Sequence, residues 1–427
     1  MEARPEGILL GCVADDFTGA SDAASFLANH GMKTLLFNGM PSGGEMLTGC
    51  DAAVIALKTR SIPAGEAVRE TQAAFDWLKA HGAHQFYFKY CSTFDSTPQG
   101  NIGPVADSAM EALGAGYTLL CPALPVNKRV VKDGLLIVDG KPMAQGHMRF
   151  HPLNPMWDSR IGKLMEPQSK YPCFILNGAA LAGPKEEILR NAEELAAKNT
   201  HCYLVPDYET EEQGRRIAEV FGGCRLLTGG SGILAHIADQ FAEKYGLLEG
   251  EMCKTGTSGR GIVLSGSCSK ATRAQIFEYK KAHRACAVFP ERLRSGEQTA
   301  SGLWQTALKH PEEAVLFYTA GVEDGEDPTA VPAERRDENA RLLEKAMAAL
   351  ARLAYDAGLT RIIVAGGETA GAAAKELGFD AFFIGESIAP GVPVMVPLAE
   401  PHMRLVLKSG NFGQADFFER ALSKTAE

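Results

Sequence analysis

The chain has 427 residues, of which 45% are hydrophobic and 22% charged, with a formal net charge of -9. That length exceeds one ordinary core and calls for two domains, while the acidic balance speaks against nucleic acid or an anionic membrane surface as partner. Ten cysteines stand without any C-x-x-C spacing, which fits reduced thiols better than a disulfide framework or a zinc site.

The first six residues are too short and too acidic for a secretory leader, and no apolar run approaches the ~20 residues that cross a bilayer. A cytoplasmic protein is expected. Residues 7–13 read as a buried strand and 20–29 as a helix. The stretch between them, Val13-Ala14-Asp15-Asp16-Phe17-Thr18-Gly19-Ala20-Ser21-Asp22, is therefore a strand-to-helix turn with paired carboxylates. Ligands of open α/β sheets bind at such turns. One carboxylate there can cap the helix. Two leave a group to hold a hydroxyl, take its proton or bind a metal.

A strand over 52–57 ends in Lys58-Thr59-Arg60-Ser61, and a helix follows over 64–81. A β-rich run over 85–90 ends in Cys91-Ser92-Thr93-Phe94-Asp95-Ser96-Thr97, after which Gly100-Asn101-Ile102-Gly103-Pro104 opens a helix. Residues 117–123 read as the next strand. This alternation predicts a mostly parallel sheet. Residues 130–141 read as a hairpin with Asp-Gly turns. The irregular stretch 147–159 has the character of a functional loop. His147 and His151 are spaced as helical metal ligands, but Pro152 and Pro155 forbid the helix they would need, so no metal ligand is assigned.

The rhythm resumes with strands at 174–176, 202–205 and 225–228, the last ending in Gly229-Gly230-Ser231-Gly232. The polar, glycine-containing stretch 247–260 is the linker candidate. It sets domains at 1–257 and 258–427. In the second, strands end in small-residue turns at Ser265-Gly266-Ser267-Cys268-Ser269, Gly366-Gly367-Glu368-Thr369 and Ser409-Gly410-Asn411-Phe412-Gly413. Glycine admits close backbone approach, and two of the turns open helices whose N–H groups favour phosphate. Together they point to one nucleotide site. There is no P-loop signature and no G-x-G-x-x-G after a strand. In the first domain the acids and bases Asp15, Asp16, Lys58, Arg60, Lys89 and Asp95 suit a small polar anion, with Lys or Arg on its carboxylate and Asp on its hydroxyls.

Taken in order, these motifs resemble the four-carbon acid sugar kinase family over nearly the whole chain. Further matching residues are Met148-Arg149, the run 151–156, and Asp158-Ser159. The resemblance implies two α/β domains with mostly parallel sheets, an N-terminal acid-sugar-binding domain and a C-terminal ATP-binding domain, with both sites in the interdomain cleft. It implies phosphorylation of a tetronate 4-hydroxyl, with Ser-Gly-Asn-Phe-Gly most like the 3-oxo-tetronate branch and D-threonate or D-erythronate as alternatives. Ala144-Gln145-Gly146 departs from a more usual acidic or serine-rich lead-in and bears on the choice of acid. ATP contacts would fall on Ser265, Ser267, Gly366, Gly367, Glu368, Thr369 and Gly410, with Mg²⁺ as companion ion. Asp16 or Asp15 would be the base, and Lys58, Arg60, Lys89, Asp95 and Ser96 would hold the acid, with domain closure excluding water. The expected partner is the small acid sugar, and a homodimer is admitted. Rival readings are a nicotinamide-dependent oxidoreductase, against which the missing glycine fingerprint speaks, and a non-catalytic sugar-acid sensor.

Overall fold

The computed structural model describes residues 2–41, 43, 47, 49–150, 155–247, 253–321, 324–325 and 333–427, except the side chains at 147, 150, 333 and 334. Residues 151–154 of the irregular loop, and with them His151 and Pro152, lie outside the described residues. The chain divides into two compact units, Met1–Met252 and Cys253–Glu427.

In the first unit, five parallel strands lie in the order Leu226–Gly229, Ala83–Lys89, Ile8–Ala14, Ala52–Ala56, Thr34–Asn38. Every residue of Ile8–Ala14 is buried. Such unbroken apolar runs are what a parallel sheet covered on both faces requires. The first strand in sequence is central, and the chain runs outward from it on both sides. Its carboxyl end is therefore a topological switch point, where the crevice between diverging connections receives a ligand. A separate three-stranded parallel sheet has the order Tyr117–Leu119, Cys202–Pro206, Cys173–Leu176. The run at 117 thus belongs to this second sheet and not to the first one. The expected hairpin forms as an antiparallel sheet of Arg129–Lys132, Leu135–Val138 and Lys141–Pro142.

The second unit has five parallel strands, ordered Arg404–Lys408, Arg361–Ala365, Gly261–Ser265, Leu316–Thr319, Ala285–Val288. The antiparallel strands Val392–Pro397 and Ala381–Ala389 extend the sheet beyond Arg404–Lys408. Val263, Ile363, Val394 and Val406 form its core with Tyr279, Phe417 and Phe418. Here too the first strand in sequence is flanked by connections that run in opposite directions. The three small-residue turns leave three adjacent parallel strands, Arg404–Lys408, Arg361–Ala365 and Gly261–Ser265, at the same edge. None of the described helices is long and apolar enough to cross a membrane.

Candidate active site

In the first unit, strand register brings the expected groups together. Ala14 pairs with both Ala56 and Lys89, so the segments after these three strands emerge side by side. Asp15 is buried, and Arg60 grips it with Nε on Oδ2 at 3.0 Å and Nη2 on Oδ1 at 2.7 Å. The Asp15 carbonyl also accepts the N–H groups of Thr59 (3.0 Å) and Arg60 (3.3 Å). Burial lifts the Asp15 carboxyl above its ordinary value, against the pull of Arg60. The Arg60 guanidinium is driven higher still by Asp15 and Asp16, which outweigh its own desolvation. Both oxygens of Asp15 are thus committed to one arginine.

Asp16 is placed differently. It is the N-cap of the helix Phe17–Asn29, with Oδ1 accepting from Gly19 N at 2.7 Å and lying 3.0 Å from Arg60 Nη2. Its side chain is about a third exposed, against 7% for Asp15. Of the two acids, Asp16 is the more accessible to solvent.

Lys89 is buried and donates from Nζ to the Tyr90 carbonyl at 2.9 Å. Lys58 is exposed. Phe94 is fully buried in the left-handed region, φ +52°, edge-on to Tyr90 at 5.5 Å. A left-handed Phe is unfavourable unless its surroundings hold it. Here that turn directs the next residues, half-buried Asp95 and buried Ser96, whose Oγ donates to Gln168 Oε1 at 3.1 Å. Asn101 pins the loop after Ala52–Ala56, its Nδ2 donating to the carbonyls of Thr59 at 2.5 Å and Ile62 at 2.9 Å. Asn101→Ala leaves the buried Thr59 carbonyl and the part-buried Ile62 carbonyl short of a donor and should cost about 1–3 kcal/mol. Urea unfolding of the variant reads this directly, and an unchanged midpoint would refute the clamp.

Two further charged residues lie near this centre and were not singled out from the sequence. Asp22 is buried with Oδ2 accepting from Ser231 Oγ, while its Oδ1 has no hydrogen-bond partner among the described residues. Burial raises its carboxyl, opposed by the charges of Lys89 and Arg129. Arg129, at the start of the hairpin sheet, donates to Ser92 Oγ. The signal for Asp22 was its place as third acid of the 13–22 stretch. Arg129 had no comparable local signal.

In the second unit the three turns interlock. Gly366 N donates to Lys408 O at 2.9 Å, and the N–H groups of Gly266 (2.9 Å) and Ser267 (3.3 Å) converge on Ala365 O. Gly366 has φ +123°, and a Cβ there would meet Ser267 N at 3.1 Å. A Cβ on Gly410 would overlap Ser267 Oγ. Gly366 caps the helix Gly367–Leu377, and Ser269 caps Lys270–Tyr279 through Thr272 N at 3.2 Å. Two helix N-termini and a third glycine turn therefore share one edge. Ser265 is fully buried, with an Oγ that lacks a partner among the described residues. A cavity of about 260 Å³ adjoins the turns, lined among others by Gly266, Thr369, Glu368, Leu343, Asn339 and Glu344. Burial, then the neighbouring Glu368, raises the Glu344 carboxyl. The cavity wall from the helix Ala333–Asp356 was not foreseen, since its residues lie in an ordinary amphipathic pattern.

Small-anion groups at one switch point and a phosphate-type cradle at another describe a two-unit α/β phosphotransferase. Two family descriptions match this division: a sugar-binding N-terminal domain over residues 10–237 and a nucleotide-binding C-terminal domain over residues 262–418. The chain belongs to the four-carbon acid sugar kinase family.

Among curated relatives, the 3-oxo-tetronate kinase of Salmonella typhimurium is 41% identical, over 96% of this chain and 98% of its own. Those of Actinobacillus succinogenes and Haemophilus influenzae, with the same name, are each 39% identical over 97% of this chain and 99% of theirs. A crystal structure from Salmonella typhimurium LT2 superposes with a TM-score of 0.89 at 40% identity, covering 97% of this chain and 99% of that one. A Haemophilus influenzae structure gives 0.81 at 37% identity with the same coverage.

Proposed function

We propose that the protein is an ATP-dependent kinase that phosphorylates the 4-hydroxyl of 3-oxo-tetronate. The observation that carries phosphoryl transfer is the meeting of three glycine-containing small-residue turns at adjacent parallel strand ends, two of them opening helices. The choice of acid is supported by the names of relatives about 40% identical over nearly full length.

On this reading residues 1–257 serve the acid and 258–427 the nucleotide. Ser265, Ser267, Gly366, Gly367, Glu368, Thr369 and Gly410 receive ATP. Lys58, Arg60 and Lys89 draw the substrate carboxylate, and Asp95 and Ser96 orient its hydroxyls. Asp16 takes the proton of the 4-hydroxyl. The oxygen attacks the γ-phosphorus in line, the bond from that phosphorus to the β–γ bridging oxygen breaks, and ADP leaves. Asp15 holds Arg60 in register beside Asp16.

Mg²⁺ would neutralise phosphate charge, and the paired carboxylates of Glu368 and Glu344, with Glu344 already raised by burial and its neighbour, are the hard-oxygen donors that fit it.

The test is a coupled ADP-release assay over 3-oxo-tetronates, D-threonate and D-erythronate. The highest kcat/KM is expected on a 3-oxo-tetronate. Turnover confined to the reduced acids would move the protein to a different branch, and no ADP release from any acid would end the kinase reading.

A further inference from the structure

We propose that Lys408 is the positioning residue of the nucleotide cradle: it fixes the 410–411 peptide so that the Asn411 N–H faces the phosphates of bound ATP. This rests on the nucleotide-site reading above and adds a residue to it.

Lys408 ends the strand Arg404–Lys408 and is 1% exposed. An ammonium has three protons to donate. Here its oxygen neighbours are Thr272 Oγ1 at 3.0 Å, Ser409 O at 3.1 Å and Gly410 O at 3.2 Å. Its own carbonyl receives Gly366 N at 2.9 Å. One residue thus ties the 366 turn through its main chain and the 409–410 turn through its side chain. Through Thr272 it also reaches the helix that follows the 265–269 turn.

Gly410 O is the focus of this arrangement. Besides Lys408 it faces Ser269 Oγ at 2.6 Å and Thr272 Oγ1 at 2.8 Å. The next part of the loop is held by Gln275 Nε2, which donates to the carbonyls of Phe412 at 2.9 Å and Gly413 at 3.0 Å. In a trans peptide the N–H points opposite to the C=O. A Gly410 carbonyl drawn inward therefore turns the Asn411 N–H outward, and Asn411 is exposed.

Among the described residues the ammonium has no carboxylate partner. The Phe417 ring lies 5.5 Å away, and Thr272 and Gln275 face the region from the helix Lys270–Tyr279. None of these titrates. Burial alone lowers Lys408 to about 8. A buried cation without a counter-charge is costly, and a polyanion bound at the turn supplies one.

The experiment measures ATP affinity by calorimetry, and KM for ATP and for the acid, in the wild type and in Lys408→Met. Met preserves the apolar stem and removes the donors. The expected result is a Kd for ATP at least tenfold weaker in the variant, with KM for the acid within twofold. In the wild type the affinity should fall as pH rises past about 8, because deprotonation removes the charge and one donor. The variant should lack that dependence. ATP affinity within twofold of wild type in Lys408→Met, or a wild-type affinity flat to pH 9.5, overturns the role. If the variant fails to fold, the wild-type pH profile still decides. Wild-type protein that binds no ATP at all would sink the nucleotide reading itself, an outcome distinct from equal binding by both proteins.

Discussion

Asp16→Asn is expected to lower kcat by about 10²–10⁴-fold, the usual worth of a positioned base, with little change in thermal stability. The two halves of this expectation have separate causes. Asn caps a helix about as well as Asp, so the bond to Gly19 N that starts the helix Phe17–Asn29 survives. What disappears is the capacity to accept a proton. Asp15→Asn should differ by costing stability. It breaks a buried bidentate pair and leaves Arg60 without its main partner, which costs about 3–5 kcal/mol of stability. Paired kinetics and denaturation therefore separate the adjacent acids. An Asp16→Asn enzyme with wild-type kcat on its best substrate would remove Asp16 from the chemistry.

Gly366→Ala should weaken ATP binding with little effect on the acid. At φ +123° only glycine is at ease, and a Cβ would press on Ser267 N at 3.1 Å. An L-residue forced there carries about 1–3 kcal/mol of strain, or shifts the backbone away from the 265–269 turn to relieve it. Because 1.4 kcal/mol is tenfold in affinity, KM for ATP should rise about 10–100-fold. KM for the acid sugar should stay near wild type, since the first unit is untouched. Equal rises in both constants would mean a general loss of structure. No rise in either would show that the turn does not meet the nucleotide.

Much of this architecture could be read from the chain. Apolar runs such as residues 7–13 and 262–264 announced buried strands, and the small-residue turns after three strands of the second unit announced one common site. Sheet membership was harder. Residues 117–119 have the same local character as the main strands, yet their partner is Cys202–Pro206, a pairing set by tertiary packing. The strand Thr34–Asn38 and the hairpin Ala381–Ala389 with Val392–Pro397 went unread, although Pro390-Gly391 is a turn signal.

At the candidate site the acidic pair was legible and its division of labour was not. Asp15 is committed because Arg60, 45 positions later, closes on it. Lys408 reads locally as a lysine leaving a strand. Its burial depends on Phe417 and on Thr272, the latter 136 positions earlier.

The interlocked turns also set an order of events during synthesis. The turn at 265–269 leaves the ribosome first, that at 366–369 about a hundred residues later, and Gly410 last, yet Ser269 and Thr272 find their acceptor only at Gly410. Chain elongation at about 5–20 residues per second separates the first turn from the third by roughly 7 to 30 seconds. A nascent chain that has passed 369 holds two turns of the cradle without the third. Nucleotide should therefore protect the second unit from proteolysis only after the strand Arg404–Lys408 has entered the sheet, and ribosome-stalled chains ending before it should gain nothing from ATP.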